Sequence, residues 1–279
     1  MIATSVDLIR YYEESGPDYE SWSRAFNMHF GYWQPDISPF NREAMLECMN
    51  RRIISCFHSG TNFLDMGCGL GATMRTFARL RPSSTISGVS IVPWQIEMCR
   101  KLSTGIPSLR FIEDDYTCTP CASNSMDGVY ALESFCHGPG TDKAACVREA
   151  YRVLCPGGRL VVADGFLKTD TQLSGFLDAC HRRICDCWTM DSLAVLPHFL
   201  NTLRDTGFTN IEATEISWHI APSVAHVPYV TLRFLIRELL VKRAKLSRAR
   251  WNNILAPVLT GIVGLARSTF GYYLIQATK

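Results

Sequence analysis

Residues 63–74 read "FLDMGCGLGATM", and the fold follows from how this stretch is parsed. Gly67, Gly69 and Gly71 stand between a short apolar run, which reads as a buried strand, and "ATMRTFARLR", which carries Met74, Phe77 and Ala78 on one helical face. Glycines at such a junction let the backbone approach a ligand and adopt conformations that other residues resist. The helix start behind them offers unpaired N–H groups. Spacing then separates the classes of ligand. A P-loop would end in Gly-Lys-Ser/Thr, which is absent; a dinucleotide fingerprint is GxGxxG, whereas this is GxGxG with Asp65 two residues before the first glycine.

Strand and helix patterns alternate outward from the loop. "STISGVSI" (84–91) is a second strand and a helix starts near Pro93, a good first-turn residue. "LRFIEDD" (109–115) and "MDGVYALES" (126–134) are strands three and four. "DKAACVREAYRVL" (142–154) is a helix stopped by "CPGG", and "RLVVADGF" (159–166) is the fifth strand. "NIEATEISW" (210–218) and "GYYLIQATK" (271–279) make seven. The expectation is an α/β protein: a seven-stranded, mostly parallel sheet with helices on both faces. Residues 1–58 read as a helical N-terminal cover and 59–279 as the core, with helical substrate-cap insertions at about 166–207 and 223–268.

Composition excludes several alternatives. With 47% apolar and 19% charged residues, a sizeable core is expected and disorder is not. A net charge of +2 gives no reason to expect nucleic acid. The basic residues are uneven, however: residues 228–268 hold Arg233, Arg237, Lys242, Arg243, Lys245, Arg248, Arg250 and Arg267 against one acid, Glu238. Such a segment faces an anionic ligand or a membrane surface, or is simply solvated. The opening "MIATSVDLIRYYEESG" carries acids where a signal peptide has its apolar region, and the longest apolar run, "ILAPVLTGIVGLA", is 13 residues with Pro257 inside. A soluble, cytoplasmic protein is expected. Its 12 cysteines read as reduced core thiols; "CTPC" (118–121) and "CDCW" (185–188) lack a matching second CxxC, so no metal site is expected.

The loop, the third-strand acid and "RVLCPGG" together resemble the class I S-adenosylmethionine-dependent methyltransferases, with "LDMGCGLG" as their first motif. The resemblance implies a Rossmann-like core with S-adenosylmethionine as cofactor. Asp65 and the loop backbone at Gly67, Gly69 and Gly71 would hold its methionine end, and Asp115 and Tyr116 would flank its adenine. Many members place an acid at the end of the second strand for the ribose hydroxyls. Here "GVSIVPWQ" puts Ser90 there, and Ser90 with Gln95 is the expected substitute. That pattern, with "NMHFGYW" (27–33) and "ESFCHGP" (133–139), is similar to the branch of sterol, tocopherol and prenyl-diphosphate C-methyltransferases. The resemblance covers most of the chain to about residue 220.

Glu133 closes the fourth strand, where ligands of such sheets bind, with His137 four residues on. A carboxylate there would stabilise the carbocation formed when an alkene carbon is methylated and then take its proton, and His137 would share or orient that role. Tyr32, Trp33 and Trp188 are candidate aromatic walls for the substrate, and Arg237 a partner for a diphosphate. Against this, aromatics are more often core, His137 fits a loop residue satisfied by backbone, and Glu133 fits a cap. The expected activity is methyl transfer to a hydrophobic small molecule, with carbon methylation of an isoprenoid favoured. Oxygen or nitrogen methylation of a polyketide or alkaloid is the close alternative, and a cofactor-bound cyclase the distant one. Peripheral membrane contact and a homo-oligomer are both allowed.

Overall fold

The computed structural model describes residues 5–171, 173 and 175–279. Residues 1–4 of the expected N-terminal cover, and 172 and 174 of the first expected insertion, lie outside the described residues. Strands β1 (Asn62–Met66), β2 (Thr85–Ser90), β3 (Leu109–Glu113), β4 (Met126–Leu132), β5 (Leu154–Leu167), β6 (Ala194–Val195), β7 (Thr209–Glu215) and β8 (Phe270–Thr278) form one sheet. Its order is β3-β2-β1-β4-β5-β8-β7, with β6 beside the end of β5. β8 runs antiparallel to both of its neighbours, and the other pairings are parallel. The strand beyond the expected seven is β6, two residues paired with Phe166 and Leu167 and too short to show a period.

The Val129–Leu132 part of β4 and the Leu160–Ala163 part of β5 are apolar runs because both of their faces are covered. Tyr130, Val161 and Ala163 pack with Phe57, Phe63 and Phe77 on one side. Val129, Ala131, Leu160 and Val162 pack with Val147 and Phe199 on the other. The Phe63 and Phe77 rings are 4.5 Å apart and fully buried; each such ring stabilises the fold by roughly 2–3 kcal/mol. Helix α4 runs Ala72–Leu80 and buries the Met74, Phe77, Ala78 face that its spacing predicts.

The N-terminal cover is only partly helical. Helices α1 (Ser5–Ser15), α2 (Tyr19–Trp22) and α3 (Arg42–Ser55) flank a non-helical stretch at 23–41. Its backbone bonds go to distant elements: the N–H groups of Phe30, Gly31, Tyr32 and Trp33 donate to Glu133 Oε1, Ser223 Oγ, the Met45 carbonyl and the His219 carbonyl. Partners that far away in sequence leave no local periodicity to read.

The span 166–207 divides in three. β5 continues to Leu167, and α7 (Gly175–Trp188) packs against α11 (Arg248–Val263). α8 (Leu196–Thr206) instead returns to the sheet, burying Phe199 and Leu203 completely beside Val147 of α6 (Ala144–Val153). That helix is therefore part of the core layer, a correction to its expected place in a cap. The late span forms α9 (Ser217–Val224), α10 (Val227–Leu235), a π-helical continuation over Ile236–Val241, and α11. Arg250 ties this cover to the N-terminus, donating to Asp18 at 2.7 and 2.9 Å and to Glu238 at 2.9 Å.

Candidate active site

The strand order reverses at β1, between β2 and β4, and a cleft opens there at the carboxyl ends. Gly67, Gly69 and Gly71 turn through it with φ of 100°, 51° and 72°, left-handed values that favour glycine. A Cβ on Gly67 would lie 2.4 Å from Ser134 Cβ, and one on Gly69 2.9 Å from Met28 Sδ. At Gly67 the loop thus has room for backbone only. Gly71 caps α4 with no side-chain hydrogen bond, leaving that helix start open to a ligand.

Asp65, at the end of β1, is buried on the cleft wall, and burial pushes its carboxyl up to about 7. Ser90 and Gln95 meet at the cleft: the Ser90 hydroxyl donates to Gln95 Oε1 at 2.6 Å and accepts from the Val92 N–H at 3.1 Å. Tyr116 lines the cleft and donates its hydroxyl to the Ser134 carbonyl at 2.8 Å. Asp115 sits beside the cleft but does not line it; its Oδ1 accepts from the N–H and hydroxyl of Thr117, both at 2.7 Å.

Glu133 lies where this cleft meets two other cavities, one of them much larger, and lines all three. Its φ is 51°, an unusual conformation for a residue with a Cβ and one that surrounding structure must hold. The Glu133 N–H extends the β4–β5 ladder by donating to Ala163 at 2.8 Å. The carboxylate takes two hydrogen bonds on Oε1, from the Phe30 N–H and the Tyr272 hydroxyl, each at 2.8 Å. Burial pushes this carboxyl up to about 8, against the pull of those two donors.

The largest chamber is walled by Phe166, Ile184, Trp188, Ile220, Val224, Val258 and Val263, with Tyr12, Tyr19, Phe30 and Tyr272 grouped near Glu133. Trp188 is on its wall. Tyr32 and Trp33 line none of the three cavities. Tyr32 stacks on His219 at 4.4 Å, and Trp33 donates its indole N–H to the Ile37 carbonyl at 2.8 Å. Arg237 also stays outside, held by Glu238 at 3.1 Å and Ser21 at 2.7 Å. Arg267 does reach the chamber wall and is paired with Glu215.

His137 lines the cofactor-sized cleft and the large chamber, with Nε2 3.0 Å from the Tyr12 hydroxyl. Burial, then the nearby Lys143 ammonium, lowers it to about 4, so the ring is neutral. Its loop is pinned by Lys143, itself fully buried, whose Nζ donates to the carbonyls of Cys136, Gly138 and Ser192 at 3.1, 2.7 and 2.8 Å. Asp164 holds the same loop by accepting from the Cys136 N–H at 2.9 Å. Tyr12, Tyr19, Met28, Asp164 and Tyr272 were not legible as site residues. The one available signal was Asp164, an acid at the end of an apolar strand.

A glycine-loop cleft lies at the reversal point of this sheet, with a carboxylate at the mouth of an apolar chamber. A family model described as a methyltransferase domain matches residues 64–162. The chain is 31% identical over 203 residues to an O-methyltransferase of Pyrenophora dematioidea, spanning 70% of this chain and 73% of that protein. It is 31% identical over 163 residues to the 2-methyl-6-phytyl-1,4-hydroquinone methyltransferase of Synechocystis sp., covering 58% of this chain and 50% of that one. With cycloartenol-C-24-methyltransferase 1 of Oryza sativa subsp. japonica it shares 29% over 230 residues, 76% of this chain and 63% of the relative. The chain thus spans between half and three quarters of these relatives.

Among solved structures, the cyclopropane synthase MmaA2 of Mycobacterium tuberculosis superposes with a TM-score of 0.81 at 16% identity, covering 100% of this chain and 99% of that one. The [4+2]-cyclase SpnF gives 0.77 at 19%, covering 99% and 97%. Geranyl diphosphate methyltransferase in complex with GPP and sinefungin gives 0.73 at 15%, covering 98% of each. These likenesses establish the Rossmann-like fold. The chain belongs to the S-adenosylmethionine-dependent methyltransferases, and S-adenosylmethionine is its cofactor.

Proposed function

We propose that this protein methylates an uncharged, apolar small molecule held in the large chamber, by carbon methylation of a terpenoid or sterol-like acceptor, with Glu133 as the group that faces the reacting carbon. The observation that carries this reading is the position of Glu133, on the walls of the cofactor-sized cleft and of both apolar chambers. The cleft residues fit the cofactor. Buried Asp65 suits its cationic methionine end, a loop with room for backbone only at Gly67 its close approach, and Ser90 with Gln95 its ribose hydroxyls. Bound there, S-adenosylmethionine supplies an electrophilic methyl group.

The acceptor's π pair would take up that methyl group as a new carbon–carbon bond, the methyl–sulfur pair being left on the departing thioether. The cation left on the acceptor faces Glu133 and the rings of Tyr12, Tyr19, Phe30 and Trp188. Its proton then passes to the Glu133 carboxylate. The Tyr272 hydroxyl and the Phe30 N–H favour the ionised form of Glu133, and a cationic donor in the adjoining cleft favours it further. The chamber argues against a diphosphate acceptor, because among the described residues Arg267 is the one arginine on its wall and is already paired with Glu215. The names of the Synechocystis and rice relatives support methylation on an isoprenoid-bearing molecule.

Oxygen methylation is the second reading, favoured by the O-methyltransferase name of the Pyrenophora relative. Glu133 would then take the proton of an acceptor hydroxyl. The test is incubation with S-adenosylmethionine bearing a deuterated methyl group and a panel of sterols, prenylated quinols, prenyl diphosphates and phenolic polyketides. Label on an acceptor carbon, in products read by mass and fragmentation, supports the first reading, and label on oxygen selects the second. Acceptor conversion without S-adenosylhomocysteine defeats both and points to a cyclase.

A further inference from the structure

Helix α10 and its π-helical continuation turn an apolar face to solvent. Tyr229 (62% exposed), Leu232 (59%), Ile236 (45%) and Leu240 (71%) recur at steps of three and four, and Val241 (73%) and Trp251 (46%) extend the patch. A helix face in contact with water ordinarily carries polar residues at such positions. Interleaved with them are exposed Arg233, Arg243, Lys245 and Arg248. Among the described residues, none of these four is in an ion pair. Glu238, the acid of this segment, is buried and taken up by Arg237, Lys242 and Arg250. The surface is thus apolar and net positive at once.

Two kinds of occupant satisfy the apolar half, and charge separates them. A second copy related by a two-fold axis would set the same unpaired cations against one another, which costs free energy. An anionic bilayer meets both halves, because acyl chains receive the apolar side chains and headgroups receive the arginines and lysines. The same group of helices leads to the large chamber, whose wall includes Trp218 and Leu265, themselves 74% and 81% exposed. An apolar molecule leaving a lipid phase would meet an apolar rim there.

We infer that α10, its π-helical continuation and the start of α11 dock this protein on the surface of an anionic lipid bilayer. The docking is independent of which atom of the acceptor is methylated. The full chain is sedimented with phosphatidylcholine vesicles with and without phosphatidylserine, at low and high salt. Binding is expected with phosphatidylserine and should weaken with salt. The triple variant Arg243→Ala, Lys245→Ala, Arg248→Ala should lose about fivefold per cation, on the order of a hundredfold in all. Leu240→Glu with Val241→Glu should lose at least about tenfold. Both variants should keep the thermal shift produced by S-adenosylhomocysteine, which separates lost docking from lost folding. Failure of the wild type to bind anionic vesicles, or equal binding by the variants, overturns the assignment. So does a dimer in solution that Leu240→Glu dissociates, because the face would then belong to a second copy.

Discussion

The Tyr272 hydroxyl lies 2.8 Å from Glu133 Oε1, joining the start of the last strand to the turn that closes the fourth. The two residues are 139 positions apart, and the bond spans β5, which lies between their strands in the sheet. With the Phe30 N–H on the same oxygen, it holds a carboxylate in a left-handed conformation at the meeting of three cavities.

Replacing that carboxylate tests the reaction itself. Glu133→Gln keeps the shape and removes the base, so turnover should fall by about 10²- to 10⁴-fold. S-adenosylhomocysteine affinity, read by calorimetry, should change by no more than a few-fold. Turnover within a few-fold of wild type would remove Glu133 from the chemistry.

Tyr272→Phe deletes one donor to Glu133 and leaves the ring. A hydrogen bond to a charged group is worth about 1.5–3 kcal/mol, so kcat should drop about tenfold or more. Because the lost bond favoured the ionised carboxyl, the acidic limb of the kcat–pH profile should move to higher pH. An unmoved limb would make Tyr272 a packing residue only.

The cofactor loop should reject any side chain at Gly67. An alanine there combines a φ of 100° with a Cβ 2.4 Å from Ser134 Cβ. Gly67→Ala should cost about 1–3 kcal/mol of stability and weaken S-adenosylhomocysteine binding more than tenfold. Wild-type affinity would show that the loop backbone does not touch the ligand.

Lys143 should matter to the fold of the site without touching a substrate. Lys143→Met removes the donor that joins two carbonyls of the His137 loop, Cys136 and Gly138, to that of Ser192, at a cost of about 2–4 kcal/mol. Thermal melting reads the loss directly. A melting point within a degree or two of wild type would mean that the loop is held by Asp164 alone.

The ligand-free protein should lose stability as pH rises from 6.5 to 9. Burial places Asp65 at about 7 and Glu133 at about 8, against ordinary values of 3.8 and 4.5. The folded chain therefore binds these protons more tightly than the unfolded chain. Their stabilisation is fully present below the unfolded values and is lost as pH climbs through the folded ones. His137, lowered to about 4 from 6.5, acts in the opposite sense, but only below that window. Melting curves of wild type and Glu133→Gln should diverge in slope, with the variant flatter. A wild-type melting point that rises across the range contradicts the sign.

Local pattern determined much of this protein. The strand–loop–helix of residues 62–80, the alternation through β5, and the meeting of Ser90 with Gln95 all rest on residues a few positions apart, where periodicity, glycine and capping act directly. The acid at 133 was legible for the same reason, as a carboxylate ending an apolar strand. Tertiary structure alone decided what surrounds it. Tyr12, Phe30 and Tyr272 reach Glu133 or His137 from both ends of the chain, while Tyr32, Trp33 and Arg237 have the right chemistry and turn elsewhere. Side-chain type and spacing specify which element forms. Which side chains share a cavity depends on how elements far apart in sequence pack, and no local period records that.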